Sequence, residues 1–164
     1  MANFSFDIKS EVDLQEMDNA VNQSNKELAQ RYDFKNSKSS IAYDRKEKKI
    51  TLIADDDYKL RALTDILATR MAKRGMSLKS LKFNDPEKAF EGYLRQTVEI
   101  YMGIDKEKAK ELIGIIKGRR YKVQTQIEGE KIRVSSPKKD ELQAVIAYLK
   151  ELDFSIPLSF VNYR

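Results

Sequence analysis

Residues 121–153 read YKVQTQIEGEKIRVSSPKKDELQAVIAYLKELD. Tyr121, Val123, Thr125 and Ile127 alternate with Lys122, Gln124, Gln126 and Glu128; after Glu128-Gly129-Glu130 the alternation resumes, Ile132 and Val134 against Lys131, Arg133 and Ser135. A period of two on both sides of a glycine turn predicts a hairpin with one apolar and one polar face. Ser136 and Pro137 suit an N-cap and first helical position, and Leu142, Val145, Ile146 and Leu149 then recur at helical steps. Pro157 introduces a final strand, 158–163. Upstream, 93–102 reads as a strand and 105–117 as a helix with Ala109, Leu112, Ile113 and Ile116 inward, closed by Gly118. The order is strand, helix, strand, strand, helix, strand.

The first half repeats it. NFSFDIK at 3–9 alternates like a strand. Asp13 with Glu16 opens a helix over 13–31, and 40–44 and 48–54 form a hairpin around Arg45-Lys46-Glu47. Asp55-Asp56-Asp57 starts a second helix with Leu60, Leu63, Leu67 and Met71 on one face, ended by Gly75, and a strand follows at 77–83. Residues 83–88, with Pro86 and no periodicity, are the linker. The expected fold class is α+β: two ferredoxin-like βαββαβ sandwiches in tandem, each an antiparallel sheet with both helices on one face.

The 164 residues include no histidine and no cysteine. That removes Ser-His-Asp and Cys-His catalysis, Cys/His zinc sites and disulfides together. Six glycines form neither a G-x-x-x-x-G-K-[ST] nor a G-x-G-x-x-G motif, so neither a P-loop nor a Rossmann turn is predicted. The Asp55–Asp57 triplet could hold magnesium, but acidic residues at a helix start chiefly serve the cap and dipole. The expectation is a protein that is not an enzyme, with no catalytic or metal-binding residue assigned and no cofactor. The opening MANFSFDIKSEVD has no apolar core of a signal peptide and no membrane span, which points to a cytoplasmic location and no membrane partner.

Thirty-one basic against 26 acidic residues give a net charge of +5, too mild to imply nucleic acid alone. Two local islands are basic, 70–82 without any acid and 117–139 with eight bases against Glu128 and Glu130. The second contains the polar hairpin face. Arg119, Arg120, Lys122, Gln124, Gln126, Lys131 and Arg133 are therefore the candidate nucleotide- or RNA-binding residues, since Lys and Arg neutralise phosphate while a glutamine amide both donates and accepts. The plain alternative is a solvated antiparallel face, or one occupied by a protein partner. KKITLIA at 48–54 and EKIRVSS at 130–136 carry no aromatic residue, so base stacking on central strands is not expected, though Tyr93, Tyr101 or Tyr163 could stack a base. No sequence readout of DNA is expected.

Several stretches together resemble the bacterial YajQ family: SFDIKSEVDLQEMDNAV at 5–21, RYDFK at 31–35, LTDIL at 63–67, KRG at 73–75, the 121–153 segment and PLSFVNYR at 157–164. The resemblance implies two ferredoxin-like units with exchanged first strands, one formed by 10–84 plus 90–102, the other by 1–9 plus 103–164. It also implies a nucleotide-binding protein, with tRNA, GTP and ATP as ligand classes and cyclic di-GMP for some members, and it supports Lys122, Gln124, Gln126 and Arg133 in their strand context. Two places depart from the family pattern. Ser135-Ser136-Pro137 stands where Thr-Gly-Lys is common, and Tyr101-Met102-Gly103 where Lys-Gln-Gly is common.

Overall fold

A computed structural model describes residues 3–164; residues 1 and 2 of the segment expected to join the second unit lie outside the described residues. The chain is mixed α+β, with two sheets and four α-helices among the described residues, and divides into two compact units. One takes the chain up to Glu11 together with Met102–Arg164, and the other is Val12–Tyr101.

Within Val12–Tyr101, the Asp13 carboxylate accepts from the amides of Gln15 and Glu16 at 3.0 and 3.1 Å, which starts α1 (Leu14–Gln30). Met17, Ala20, Val21 and Leu28 then point inward. β2 (Ser40–Asp44) and β3 (Lys49–Ala54) form the hairpin, followed by α2 (Asp57–Lys73), β4 (Leu81–Phe83), β5 (Glu87–Lys88) and β6 (Leu94–Ile100). The sheet order is β2-β3-β6-β4, with β5 also on β6. Ile41 pairs Leu52, Tyr43 pairs Ile50 and Ile50 pairs Val98. Ile50, Leu52 and Val98 are fully buried, as are Leu63, Leu67 and Met71 of α2. The strand expected at 77–83 is shorter because the Ser77 hydroxyl accepts from Lys79 N at 3.1 Å and opens a 3-10 turn, leaving only Leu81–Phe83 to pair.

Two of the five cations in the basic island at 70–82 are tied into the fold. Arg70 donates to Glu27 at 2.9 and 3.1 Å and to Gln23 at 3.2 Å, and Arg74 donates to Glu16 at 3.0 Å, tying α2 to α1. These pairs are only a quarter to a third exposed. Arg70→Ala and Arg74→Ala are each expected to lower unfolding free energy in urea by about 1 kcal/mol, as charge-assisted bonds at half-buried sites do. A variant as stable as the parent would contradict the ion-pair reading.

In the other unit, β1 (Phe4–Lys9), α3 (Lys106–Gly118), β7 (Gln124–Glu128), β8 (Lys131–Ser136), α4 (Lys139–Glu151) and β9 (Ser159–Val161) give the sheet order β7-β8-β1-β9. Past β9, Arg164 exchanges two backbone bonds with Ser5 at 3.0 and 3.2 Å. α4 packs on β8 and β1, where Phe6, Ile8, Ile132 and Val134 are fully buried with Leu112 and Val145. Two helix ends differ from expectation. Ser136 remains in β8 opposite Phe4, its hydroxyl donating to Lys122 O at 2.9 Å and accepting from Lys138 N at 3.1 Å, so α4 begins only at Lys139. Gly118 is still helical, and the left-handed residue after α3 is Arg120, with φ 58°.

Candidate functional site

The polar face of the second hairpin is built by register. Gln126 lies opposite Arg133, Gln124 opposite Ser135 and Glu128 opposite Lys131, while Thr125 and Ile127 share the other face with Val134 and Ile132. Directly paired residues of antiparallel strands project to one side. β8 in turn pairs with β1, which brings Asp7 opposite Arg133. The sequence reading gave Asp7 no role.

Asp7 is nevertheless the centre of the face. It is only 2% exposed, and its carboxylate accepts from Lys131 Nζ at 3.1 Å, Arg133 Nε at 3.3 Å and Asn162 Nδ2 at 2.8 Å. Asn162 reaches it from a left-handed backbone position just past β9, φ 58°. Burial pushes the Asp7 carboxyl upward and is the largest single influence, but the bonds from Asn162, Lys131 and Arg133 together outweigh it and hold the group below its ordinary value. Arg133 also meets Glu128 at 3.2 Å. Lys131 and Arg133 are thus balanced by two carboxylates and held in place, with about a third of each side chain still open to solvent (31% and 34%). The face is a fixed array of N–H donors more than a basic patch. Gln124 and Gln126 flank it, exposed and with no side-chain partner among the described residues.

The three upstream cations do not join this cluster. The Arg119 guanidinium lies over the Tyr148 ring of α4, 4.4 Å from its centroid, so it belongs to the helical side. A hydrogen bond with the Tyr121 side chain raises its pKa. Arg120 is exposed. Lys122 is fixed through its backbone, its N–H donating to Glu141 Oε2 at 3.1 Å. The side chains of Arg120 and Lys122 have no partner among the described residues.

Of the aromatics named from sequence, Tyr163 is 57% exposed and stands 6.2 Å from the Phe6 ring, centroid to centroid, and Tyr93 and Tyr101 are half-buried. The side of β1 that faces away from the helices carries Ser5, the buried Asp7 and Lys9, none of them aromatic. Asp56 is a helix cap, accepting from Lys59 N at 2.8 Å. No group of three or more acidic side chains among the described residues could hold a metal ion, and no described helix is long and apolar enough to cross a membrane.

A family model described as nucleotide-binding protein YajQ-like matches residues 4–164. A protein of Endomicrobium trichonymphae named nucleotide-binding protein is 61% identical over 161 residues, 98% of either chain. Proteins with the same name from Carboxydothermus hydrogenoformans and Chloroherpeton thalassium are 51% and 47% identical, over 99% and 98% of both chains.

Proposed function

Since this chain belongs to the YajQ-like family, we propose that it is a non-enzymatic, cytoplasmic nucleotide- and RNA-binding protein, each of whose units is a ferredoxin-like sandwich with an exchanged first strand. The contact surface is the open face of β7 and β8. The observation that carries this reading is the Asp7 cluster, which holds Arg133 and Lys131 beside the unpartnered amides of Gln124 and Gln126. Positioned donors of this kind suit phosphate oxygens, and free amides suit base edges. A sheet face is open and extended, so it favours a strand of RNA, tRNA included, over a single GTP or ATP; cyclic di-GMP, whose two phosphates stand on opposite sides of its ring, can offer one to each cation.

The charge balance makes a quantitative expectation. Asp7 and Glu128 offset Lys131 and Arg133, and Arg119 lies on the helical side, which leaves Arg120 and Lys122 to release counterions. The log affinity for single-stranded RNA should therefore fall with log salt at a slope of about −1.4, where five unpaired cations would give about −3.5. Labelled tRNA and short single-stranded RNA titrated at two or more salt concentrations test this. Lys122→Ala with Gln126→Ala should weaken binding by about tenfold while stability changes by no more than about 0.5 kcal/mol, since neither side chain has a partner to lose. Arg133 is a poorer choice for this purpose than the sequence alone suggests, because removing it also strips a bond from Asp7. No saturable binding at low salt, or an affinity indifferent to salt, would overturn the proposal.

A further inference from the structure

Within the unit Val12–Tyr101, a groove of about 520 Å³ runs between α2 on one side and Phe83 of β4 with Pro86 on the other. Three charged side chains of α2 line it at four-residue steps, Asp57, Arg61 and Asp65. Residues four apart on a helix are placed to pair. Yet all three are exposed, and none has a side-chain partner among the described residues. Phe83 and Pro86 make the opposite wall apolar. Gln96 of β6 also lines the groove, and one N–H of its amide donates to Asn84 O at 2.8 Å. That bond orients the side chain and leaves a carbonyl oxygen and a second N–H, one acceptor beside one donor, which is the complement of a backbone peptide unit.

We infer that this groove takes an extended segment of a partner protein with the pattern base, apolar, acid, apolar, base. The spacing of the charges carries the inference. Asp57 and Asp65 are eight residues apart on α2, about 12 Å at the helical rise of about 1.5 Å per residue, and the first and fifth residues of a strand are about 13 Å apart. A strand beside α2 thus sets bases on Asp57 and Asp65 and, midway, an acid on Arg61. Its second and fourth side chains point the other way, toward Phe83 and Pro86. The Gln96 amide pairs with a peptide unit between them. Two carboxylates against one cation disfavour a polyanion, so this surface is separate from the one proposed for RNA. Within this chain the pattern occurs at Arg31-Tyr32-Asp33-Phe34-Lys35. There it is folded into a 3-10 turn, with Arg31 on Asp33 at 2.7 Å and Phe34 buried, so the occupant is another protein and not a second copy.

Fluorescence anisotropy of the full chain with labelled pentapeptides tests the assignment. Lys-Val-Glu-Val-Lys should bind saturably, and Glu-Val-Lys-Val-Glu, with every charge reversed, about tenfold more weakly or less. Arg61→Glu should transfer the preference to Lys-Val-Lys-Val-Lys, a gain that damage to the fold cannot produce. Arg61 is exposed and unpartnered, so the circular dichroism of that variant should match the parent. Lys122→Ala with Gln126→Ala should leave peptide affinity unchanged, which separates failure here from failure of the hairpin reading. No saturable binding of Lys-Val-Glu-Val-Lys, equal binding of its charge-reversed form, no transfer of preference in Arg61→Glu, or loss of the peptide in the hairpin variant would each overturn the inference.

Discussion

Asp7→Ala should destabilise the protein by about 3 kcal/mol near neutral pH, the low end for breaking a buried ion pair by removing one member. The carboxylate is 3% exposed as a side chain and receives three side-chain bonds from β8 and the chain end, so its loss orphans Lys131 and the Asn162 amide and leaves Arg133 with Glu128 alone. The cost stays at the low end because Lys131 and Arg133 retain 31% and 34% exposure and can turn toward water. The effect also has a pH signature. The folded-state pKa of Asp7 is depressed below 3.8, so its contribution is present above that value and disappears as pH falls through the folded pKa. Urea unfolding of parent and variant should show a gap that is constant near neutrality and narrows below 3.8. An equal stability at neutral pH, or a gap that ignores acid, would contradict the role assigned to Asp7.

Gly103→Ala should cost about 2–3 kcal/mol, from backbone strain and crowding together. Gly103 has φ +85°, and an added Cβ would lie 2.6 Å from Glu130 Oε2, 2.7 Å from Cδ and 2.9 Å from Cβ. The far end of Glu130 can swing away. Its Cβ cannot do so freely, because the Glu130 carbonyl accepts from Ile104 N at 2.9 Å and Gly103 N is itself bound to Ser10 O at 2.6 Å. Gly114→Ala is the control: it lies inside α3 with open space around it, so the same chemical change should stabilise by about 0.5–1 kcal/mol. Opposite shifts in thermal midpoint are expected, and a harmless Gly103→Ala would refute the close approach.

The hairpin was legible because strand periodicity is local: the alternation of Gln124 and Gln126 with Thr125 and Ile127 is the alternation of the structure. What stayed hidden depended on which distant strand arrives alongside. Asp7 and Arg133 are 126 residues apart, and only the pairing of β1 with β8 makes the first the counter-ion of the second. Likewise Arg70 and Arg74 read as a basic island until α1 supplies Glu27 and Glu16. Ser136 looked like a helix cap because Ser-Pro has that local chemistry, yet its pairing with Phe4 keeps it in the strand.

The central claim is that RNA lies on the open face of β7 and β8. It is tested most directly by mapping amide chemical shifts of isotope-labelled full-length protein during titration with a short single-stranded RNA. The account predicts that the backbone and side-chain amides of Gln124 and Gln126 move with the backbone amides of Lys131 to Ser135, all saturating along one curve. Saturable RNA binding that leaves those signals unmoved, with the shifts falling instead around residues 70–82, would contradict it.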